Sequence, residues 1–140
     1  ARRLMLDFWP GPLTLILPAQ PTLAWTLTDA AGRIAVRMPL HPVALELLER
    51  TGPLGVVAAA PPPTPGEPAT AGGSFPDGLA GHLAVLLDAG PLPVGTASAV
   101  VDLTGAVPVL VRPGPLDADD LRSSCPGLVV PGAGPEQPGT

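Results

Sequence analysis

The sequence predicts a twisted mixed β-sheet flanked by helices, in an α/β domain or, as the alternative, an α+β domain. The main observation is a series of seven short apolar runs, most of them rich in β-branched residues, which is typical of buried strands. Helical patterns are few and short. Two of the apolar runs end at an arginine with a proline close behind it, as buried strands do where they reach the surface.

The amino-terminal part of the chain predicts the end of one helix, three strands and a second helix. Residues 2–9 have apolar side chains at helical spacing, and a Pro-Gly-Pro turn follows them. Residues 13–17, 24–28 and 33–37 are apolar runs that predict strands, and the middle run is the weakest. Residues 42–50 predict a helix, because proline occupies the first turn and a glycine follows the last.

The remainder of the chain predicts four further strands and a short helix. The strand predictions cover residues 54–58, 83–87, 99–103 and 107–111. Several prolines and a Gly-Gly pair favour a loop over residues 59–78, and residues 117–121 predict the start of a helix. We therefore expect one partial domain over residues 1–122 and a flexible Gly/Pro-rich tail over residues 123–140.

The composition excludes several classes of protein. The chain has 140 residues, of which 46% are hydrophobic, so it can form a real core within a single domain. A formal net charge of −5 disfavours non-specific binding to nucleic-acid backbones. The single cysteine, Cys125, excludes an internal disulfide and a zinc site made of cysteines alone. No apolar run has membrane-spanning length and no signal peptide opens the chain, so we expect a cytoplasmic protein without a membrane partner.

The two strand endings with arginine indicate an anionic ligand. Arg37 ends the run IAVR, and Arg112 ends the run VLVR. Ligands of open α/β sheets gather at the carboxyl ends of the strands, and a guanidinium group is a planar fork for carboxylate or phosphate. The alternative is a surface ion pair at a strand end or, for Arg112, an ordinary Arg-Pro-Gly turn.

Other kinds of site find little support in the sequence. His41 and His82 are not near other candidate metal ligands, so no metal site is predicted. Neither a P-loop nor a Gly-x-Gly-x-x-Gly motif is present. Lysine, tyrosine and asparagine do not occur anywhere in the chain, so a mechanism that needs their side chains is excluded, and no catalytic residue is assigned.

Four blocks of the sequence carry a further signal when they are read in order. They are FWPGPLTLIL (residues 8–17), RIAVRMPLHP (33–42), VVDLTG (100–105) and VLVRPG (109–114). Each block alone is a weak signal, whereas the four together are specific. With the segment ALELLERTGPLGVVAAA between the second and third blocks, the chain resembles the YrdC/TsaC family of threonylcarbamoyl-AMP synthases, from Arg2 to about Leu121.

This resemblance implies a twisted α/β sheet with a concave, positively charged groove. It implies an enzyme that joins ATP, L-threonine and bicarbonate into threonylcarbamoyl-AMP and pyrophosphate, for modification of the adenosine beside the tRNA anticodon. Mg²⁺ is then expected with the ATP, and tRNA or double-stranded RNA is a further expected partner. By their positions in the matching blocks, Arg37 and Ser98, which lies just ahead of VVDLTG, are expected at L-threonine. Arg112 and Arg33 are expected at the nucleotide.

The chain also departs from the family's pattern. The family's amino-terminal third carries a Pro-Thr-x-Thr-x-Tyr-Gly-Leu block and a Lys-x-Arg pair, and neither is present. The family's Ser-Ala-Asn-x-Ser-Gly stretch is replaced by alanines and prolines over residues 58–63. We therefore expect an incomplete sheet with an unpaired edge, and a synthase whose activity is impaired.

Two alternatives to an impaired synthase stay open. One is a non-catalytic nucleotide- or RNA-binding remnant, which the retained Arg37 and Arg112 allow. The other is a decayed fragment or scaffold that binds no ligand.

Overall fold

The computed structural model separates into two compact units. It describes residues 1–22, 29, 31–56, 82–90 and 97–131. The first unit comprises Ala1–Leu40 and Ser98–Thr140, and the second comprises His41–Ala97. All the strands of the described part belong to the first unit, so this unit provides the framework on which the candidate site residues lie.

The first unit is built on a four-stranded mixed sheet. Its strands are β1 (Leu13–Pro18), β2 (Arg33–Arg37), β3 (Ala99–Asp102) and β4 (Val109–Arg112). The strand order is β2-β1-β3-β4. Strand β1 pairs antiparallel with β2 and parallel with β3, and β3 pairs antiparallel with β4. The predicted mixed sheet in an α/β fold is therefore confirmed, with strands at four of the predicted positions.

Side chains alternate between the two faces of this sheet. On β1, Leu13 and Leu15 are fully buried, while Thr14 between them is half-buried. On β3, Ala99 and Val101 are likewise fully buried. The parallel register places these two beside Leu13 and Leu15, so all four side chains share one face.

Helices α1 (Arg2–Phe8) and α3 (Ala118–Ser124) contribute to the core on this face, which we call the helix-covered face. Leu4 of α1 and Leu121 of α3 are fully buried there, and burial of one leucine contributes on the order of 1.5–3 kcal/mol. The opposite face carries Thr14 and is called the polar face. The complete set of buried core residues is Leu4, Leu13, Leu15, Ala99, Val101, Leu110, Leu121, Cys125 and Leu128.

The turn after α1 is fixed by one side-chain and one backbone hydrogen bond. The indole N–H of Trp9 donates to the carbonyl oxygen of Leu13 at 2.7 Å. The N–H of Gly11 donates to the carbonyl oxygen of Met38 at 2.9 Å. A Cβ at Gly11 would overlap the carbonyl oxygen of Phe8, so glycine is required here. The turn thereby ties the start of β1 to the residue that follows β2.

The chain beyond α3 packs back onto the sheet. Cys125 and Leu128 are buried in the core. Val129 forms a parallel bridge with Val109 on β4, and its N–H donates to the carbonyl oxygen of Pro108 at 2.9 Å. This differs from the flexible tail that the Gly/Pro-rich composition predicts from residue 123 onward, because apolar side chains in its first part reach the sheet. Its last part lies outside the described residues.

Two predicted strands do not form in the described part of the chain. Residues 54–56 and 83–87 lie outside any strand, and Val56 and Val85 are 83% and 72% exposed. A short apolar run is compatible with a strand, but it becomes one only where a neighbouring strand pairs with it, and sequence composition does not reveal that neighbour. The prediction of a strand at 24–28 lies outside the described residues.

The second unit contains α2 (Pro42–Thr51), at the predicted position. Proline in its first turn has its φ preset for a helix and needs no N–H partner. Gly52 ends the helix with a φ of 76°, and its N–H donates to the carbonyl oxygen of Leu48 at 2.9 Å. Among the helices in the described residues, none has the length and apolar content needed to cross a membrane.

Candidate anion-binding site

Four paired residues form a row across the polar face: Arg37, Thr14, Val100 and Arg112. Thr14 on β1 is paired with Arg37 on β2 and with Val100 on β3. Val100 is paired in turn with Arg112 on β4. Because paired residues project from the same face of a sheet, the two arginines stand on either side of the two central strands.

Arg37 is held in place by the turn after α1. Its Nε donates to the carbonyl oxygen of Gly11 at 3.1 Å, which uses one of its five N–H donors. Partial burial lowers the pKa of Arg37, and the positive charge of Arg112 lowers it further. The two guanidinium groups are therefore close enough to repel each other. In the described part of the chain, neither of them forms an ion pair with a carboxylate.

Arg112 is held against the residue that precedes β3. Its Nε donates to the carbonyl oxygen of Ser98 at 3.0 Å, and its Nη2 donates to Ser98 Oγ at 3.3 Å. Gly114 makes this approach possible, because a Cβ there would come within 2.7 Å of Ala99 Cα and 2.8 Å of the Ser98 carbonyl carbon. The Arg-Pro-Gly block thus places the guanidinium group beside Ser98.

Two hydroxyl groups complete this part of the polar face. Ser98 is only 4% exposed, and its Oγ lies 2.8 Å from Oγ1 of Thr14. Thr14 itself is half-buried. Guanidinium and hydroxyl groups are hydrogen-bond donors that suit an oxyanion. We call this cluster the open end of the polar face; its members are Arg37, Thr14, Ser98 and Arg112.

The other end of the polar face is neutralised by its own ion pairs. Arg33 Nε donates to Asp29 Oδ2 at 2.6 Å, and Arg33 Nη1 donates to Asp102 Oδ2 at 3.3 Å. Asp102 Oδ1 also accepts hydrogen bonds from the hydroxyl and the N–H of Thr104, at 2.6 and 2.8 Å. We call this cluster the closed end; its members are Asp29, Arg33, Asp102 and Thr104.

These contacts shift the pKa values of the closed end in the direction that keeps it charged. Hydrogen bonds from the backbone and side chain of Arg33 lower the pKa of Asp29. Hydrogen bonds from the side chain and backbone of Thr104 lower the pKa of Asp102. The hydrogen bond to Asp29 raises the pKa of Arg33. At neutral pH the cation of the closed end is therefore compensated by two anions, unlike the cations of the open end.

The structure brings three of the four predicted site residues together. Arg37, Ser98 and Arg112 meet at the open end, whereas Arg33 lies at the other end of β2 within ion pairs. Their roles toward ligands stay predictions. Thr14 is the member of the open end that the sequence reasoning missed. The available signal was strand alternation in LTLIL, which directs its polar residue away from the buried leucines.

The donor set of the open end is that of an anion site rather than a metal site. Over the described ranges, no group of three His, Cys, Asp or Glu side chains could hold a metal ion. Guanidinium groups and hydroxyls instead bind carboxylate and phosphate oxygens through charge-assisted hydrogen bonds.

Comparisons with known proteins identify the family of this chain. The Sua5/YciO/YrdC family model, described as "Telomere recombination", matches residues 1–114. A putative threonylcarbamoyl-AMP synthase of Mycobacterium tuberculosis (strain ATCC 25618 / H37Rv) is 46% identical over 125 residues, which are 86% of this chain and 55% of that protein. The threonylcarbamoyl-AMP synthase of Bacillus subtilis (strain 168) is 36% identical over 129 residues, 88% of this chain and 36% of that protein. The chain thus spans about half the length, or less, of these curated relatives.

Solved structures share the same fold. Sua5 of P. abyssi complexed with L-threonine matches with a TM-score of 0.72 and 31% identity, covering 92% of this chain and 38% of that chain. A doubly substituted variant of P. abyssi Sua5 matches with a TM-score of 0.73 and 35% identity, covering 88% and 37%. The family model, the relatives and the fold all agree with the resemblance that the four sequence blocks indicate. The chain therefore belongs to the Sua5/YciO/YrdC family.

Proposed function

We propose that this chain binds L-threonine and ATP at the open end of the polar face, as part of a threonylcarbamoyl-AMP synthase. The reaction joins ATP, L-threonine and bicarbonate into threonylcarbamoyl-AMP and pyrophosphate. The observation that carries the proposal is the pair Arg37 and Arg112, which stand in one row across the polar face and have no carboxylate partner in the described ranges. Relatives named as synthases and a related Sua5 complexed with L-threonine support this choice of ligands.

The open end offers one arginine to each ligand. Arg37 and the neighbouring hydroxyl of Ser98 suit the carboxylate of L-threonine, because a guanidinium group can donate two parallel hydrogen bonds to it. Arg112 suits a phosphate of the nucleotide. Two adjacent anions would offset the partial burial and the repulsion by Arg112 that together lower the pKa of Arg37. Neighbouring ligands also gain from proximity, since the reacting groups are held together before the reaction begins.

Arg33 is a further candidate for contact with the nucleotide. It is already bound to Asp29 and Asp102, so it has to share or exchange these partners to reach a phosphate. We therefore expect Arg112, and not Arg33, to contribute measurably to the affinity for ATP. Because the two carboxylates are engaged with Arg33, they do not offer a ready Mg²⁺ site. We expect Mg²⁺ to arrive with the phosphates of ATP.

We further propose that this chain turns over slowly by itself. Alanines and prolines occupy residues 58–63, where the family's Ser-Ala-Asn-x-Ser-Gly stretch supplies hydrogen bonds to the nucleotide. Each lost hydrogen bond to a charged ligand group costs about 1.5–3 kcal/mol. Binding that depends on the open end is retained on this view, whereas the reaction, which needs the additional side chains, is strongly reduced.

The test combines a reaction assay with a binding measurement. The chain is incubated with ATP, L-threonine and bicarbonate, and pyrophosphate and threonylcarbamoyl-AMP are measured beside the full-length Bacillus subtilis relative. Calorimetry measures binding of L-threonine and ATP separately. We expect measurable binding and turnover far below that of the relative. Equal turnover would overturn the proposed impairment, and the absence of binding by both ligands would overturn the proposed site.

A non-catalytic nucleotide-binding protein is the second candidate, because Arg112 is present while alanines and prolines replace the family's Ser-Ala-Asn-x-Ser-Gly stretch over residues 58–63. It predicts binding of ATP or AMP that is lost in Arg112→Ala, without any threonylcarbamoyl-AMP. A fragment without a ligand would give no heat with either nucleotide.

The net charge of −5 argues against broad affinity for tRNA or double-stranded RNA, which a gel-shift assay tests. A cytoplasmic location is likewise part of the proposal and is tested by fractionation.

A further inference from the structure

We infer that Val129 is a positioning residue for Arg112. Through its backbone, Val129 holds a β-bulge in β4, and this bulge turns Arg112 onto the polar face. The inference concerns a segment beyond residue 114, where the match of the family model ends. It rests on the proposed function in its ligand measurement, because Arg112 is assigned there to ATP, whereas its structural measurement needs no ligand.

Strand β4 contains one residue more than its pairing with β3 requires. Leu110 is paired with Val101. Arg112, two positions later, is paired with the adjacent residue Val100. Two steps along β4 thus correspond to one step along β3, and Val111 is left without a partner on β3, which is the arrangement of a β-bulge.

The bulge decides which face of the sheet Arg112 occupies. Side chains of a regular strand alternate, so residues two positions apart project from the same face. Leu110 is 5% exposed and belongs to the core on the helix-covered face. In a regular β4, Arg112 would follow Leu110 to that face and would be paired with the fully buried Ala99. The extra residue instead moves the guanidinium group to the polar face, beside Ser98.

Val129 holds β4 immediately before the bulge. Its N–H donates to the carbonyl oxygen of Pro108 at 2.9 Å, and its carbonyl oxygen accepts from the N–H of Leu110 at 2.9 Å. These two bonds enclose Val109, with which Val129 forms a parallel bridge. Because β4 is the last strand in the sheet order, the bonds lie on the side of β4 that β3 leaves free. Val129 thus fixes the part of β4 from which the bulge departs.

Val129 is itself anchored by the core and by α3. Its neighbour Leu128 is 6% exposed, and Leu121 on α3 is fully buried. The hydroxyl of Ser124, the last residue of α3, donates to Asp7 Oδ2 on α1 at 2.6 Å. Because the core and α1 hold this segment, it can act as a fixed support for β4.

An edge strand with a bulge depends on such support. The bulge interrupts the pairing of β4 with β3 just before Arg112. Without the bonds to Val129, the end of β4 would separate from β3 for part of the time. The guanidinium group of Arg112 would then leave Ser98, whose carbonyl oxygen accepts from its Nε at 3.0 Å. Affinity falls in proportion to the fraction of time for which a binding group is in place.

The first experiment compares Val129→Pro with Val129→Ala. Proline removes the N–H that donates to Pro108 and keeps the carbonyl group, whereas alanine keeps both backbone groups. Calorimetry measures the affinity for ATP and for L-threonine below the unfolding temperature of each variant. We expect Val129→Pro to weaken ATP binding about 10-fold, as for an Arg112 that is in place about one tenth of the time, and L-threonine binding clearly less. Val129→Ala should stay within about 2-fold of the wild type for both ligands.

The second experiment needs no ligand. The Nε–H groups of Arg112 and Arg37 donate to the carbonyl oxygens of Ser98 and Gly11. Heteronuclear NMR measures how fast these two groups exchange hydrogen with water, and the variants Arg112→Gln and Arg37→Gln assign their signals. We expect faster exchange at Arg112 in Val129→Pro and unchanged exchange at Arg37, which is the internal control.

Thermal unfolding checks that each variant is folded. If Val129→Pro does not fold, Leu128→Ala takes its place, because loss of buried methyl groups weakens the anchor beside Val129 without altering its N–H. It should give the same result, with faster exchange at Arg112 and not at Arg37.

The outcomes separate this inference from the proposed function. Unchanged exchange at Arg112 in Val129→Pro would overturn the role of Val129. Equal losses of ATP and L-threonine affinity would also overturn it, because a general loosening of the domain would then be responsible. An equal loss in Val129→Ala would assign the effect to the side chain and overturn it as well. Faster exchange at Arg112 with wild-type ATP affinity would support the role of Val129 and remove Arg112 from the nucleotide. If the wild type binds neither ligand, the proposed function fails and the exchange measurement alone decides the role of Val129.

Discussion

The open end and the closed end of the polar face place the same residue type in opposite surroundings. Arg33 and Arg37 are the first and last residues of β2, and their side chains project from the same face. Arg33 is bound by two carboxylates, whereas Arg37 faces the guanidinium group of Arg112. The charged groups around each arginine, rather than the residue itself, therefore decide whether an arginine on this sheet is structural or available to a ligand.

The charge balance of the two ends predicts that substitutions at one end affect ligand binding and that substitutions at the other affect stability. At the closed end, attraction between opposite charges is already present in the folded chain. At the open end, partial burial of the Arg37 cation and, to a smaller extent, its repulsion by Arg112 oppose folding until an anion binds. A ligand that binds only the folded state also stabilises it. Substitutions at the open end should therefore change mainly binding, and substitutions at the closed end should change mainly stability.

The largest effect is expected for the double variant Arg37→Gln, Arg112→Gln. Loss of both guanidinium groups should weaken binding of L-threonine and ATP by at least about 100-fold, because each charge-assisted hydrogen bond contributes on the order of 1.5–3 kcal/mol. Thermal stability should change little, since the repulsion between the two groups also disappears. Calorimetry and thermal unfolding measure the two effects. Arg50→Gln, which removes an exposed arginine paired with Glu46, is the control. Near wild-type affinity in the double variant would contradict the assignment of the open end.

Gly114→Ala should disturb the open end through the backbone. The added Cβ would overlap the backbone at Ala99, so we expect a loss of about 1–3 kcal/mol in the free energy of unfolding. Urea unfolding measures this loss. Gly105→Ala is the matched control, because the nearest atom to its Cβ is the carbonyl oxygen of Val107 at 3.6 Å. Equal stability of the two variants would argue against the close approach that positions Arg112.

Arg33→Gln should have a smaller effect, and on stability alone. Its ion pairs with Asp29 and Asp102 are partly exposed, and such pairs contribute little. We expect a small decrease in Tm and unchanged affinity for ATP. If Arg33→Gln lost as much ATP affinity as Arg112→Gln, Arg33 would also contact the nucleotide. The closed end would then no longer differ from the open end in ligand binding.

The smallest effect is expected at acid pH. The pKa values of Asp29 and Asp102 are lowered in the folded state, so their ionised forms stabilise it above the ordinary carboxyl pKa of about 3.9. This contribution is lost as the pH falls below that value and through the lowered pKa values. Urea midpoints between pH 7 and about pH 3 should fall less in Asp102→Asn than in the wild type. An identical pH dependence would show that the closed end does not contribute to acid sensitivity.

The strands of the sheet could be predicted from the sequence because their apolar side chains are local and periodic. The same information could not exclude strands at residues 54–56 and 83–87, since pairing depends on a neighbour elsewhere in the chain. Composition was misleading between Cys125 and Val129, where glycine and proline indicated a tail. Those residues fold onto the sheet because Leu128 fills a place in the core.

The candidate site could be predicted in part. Arg37 and Arg112 were identified because each ends an apolar run, which is a local signal. The ion pair that neutralises Arg33 was not foreseen, because Asp102 lies 69 positions away in the sequence. Thr14 was missed although strand alternation marks it as the polar side chain of the run LTLIL, and its hydrogen bond with Ser98, 84 positions away, could not be foreseen. Long-range contacts of this kind are fixed by the register of the strands.

The parallel pairing of β1 with β3 makes the candidate site depend on the closure of a long loop. Thr14 and Ser98 meet only after the chain between them has brought its two ends together, and non-local contacts of this kind slow folding. The entropic cost of closure rises by only about 0.6 kcal/mol for each doubling of loop length. Insertions between β2 and β3 should therefore slow the appearance of ligand binding during refolding more than they reduce the final stability. The rate at which ligand affinity recovers during refolding would then report the rate at which the sheet is completed.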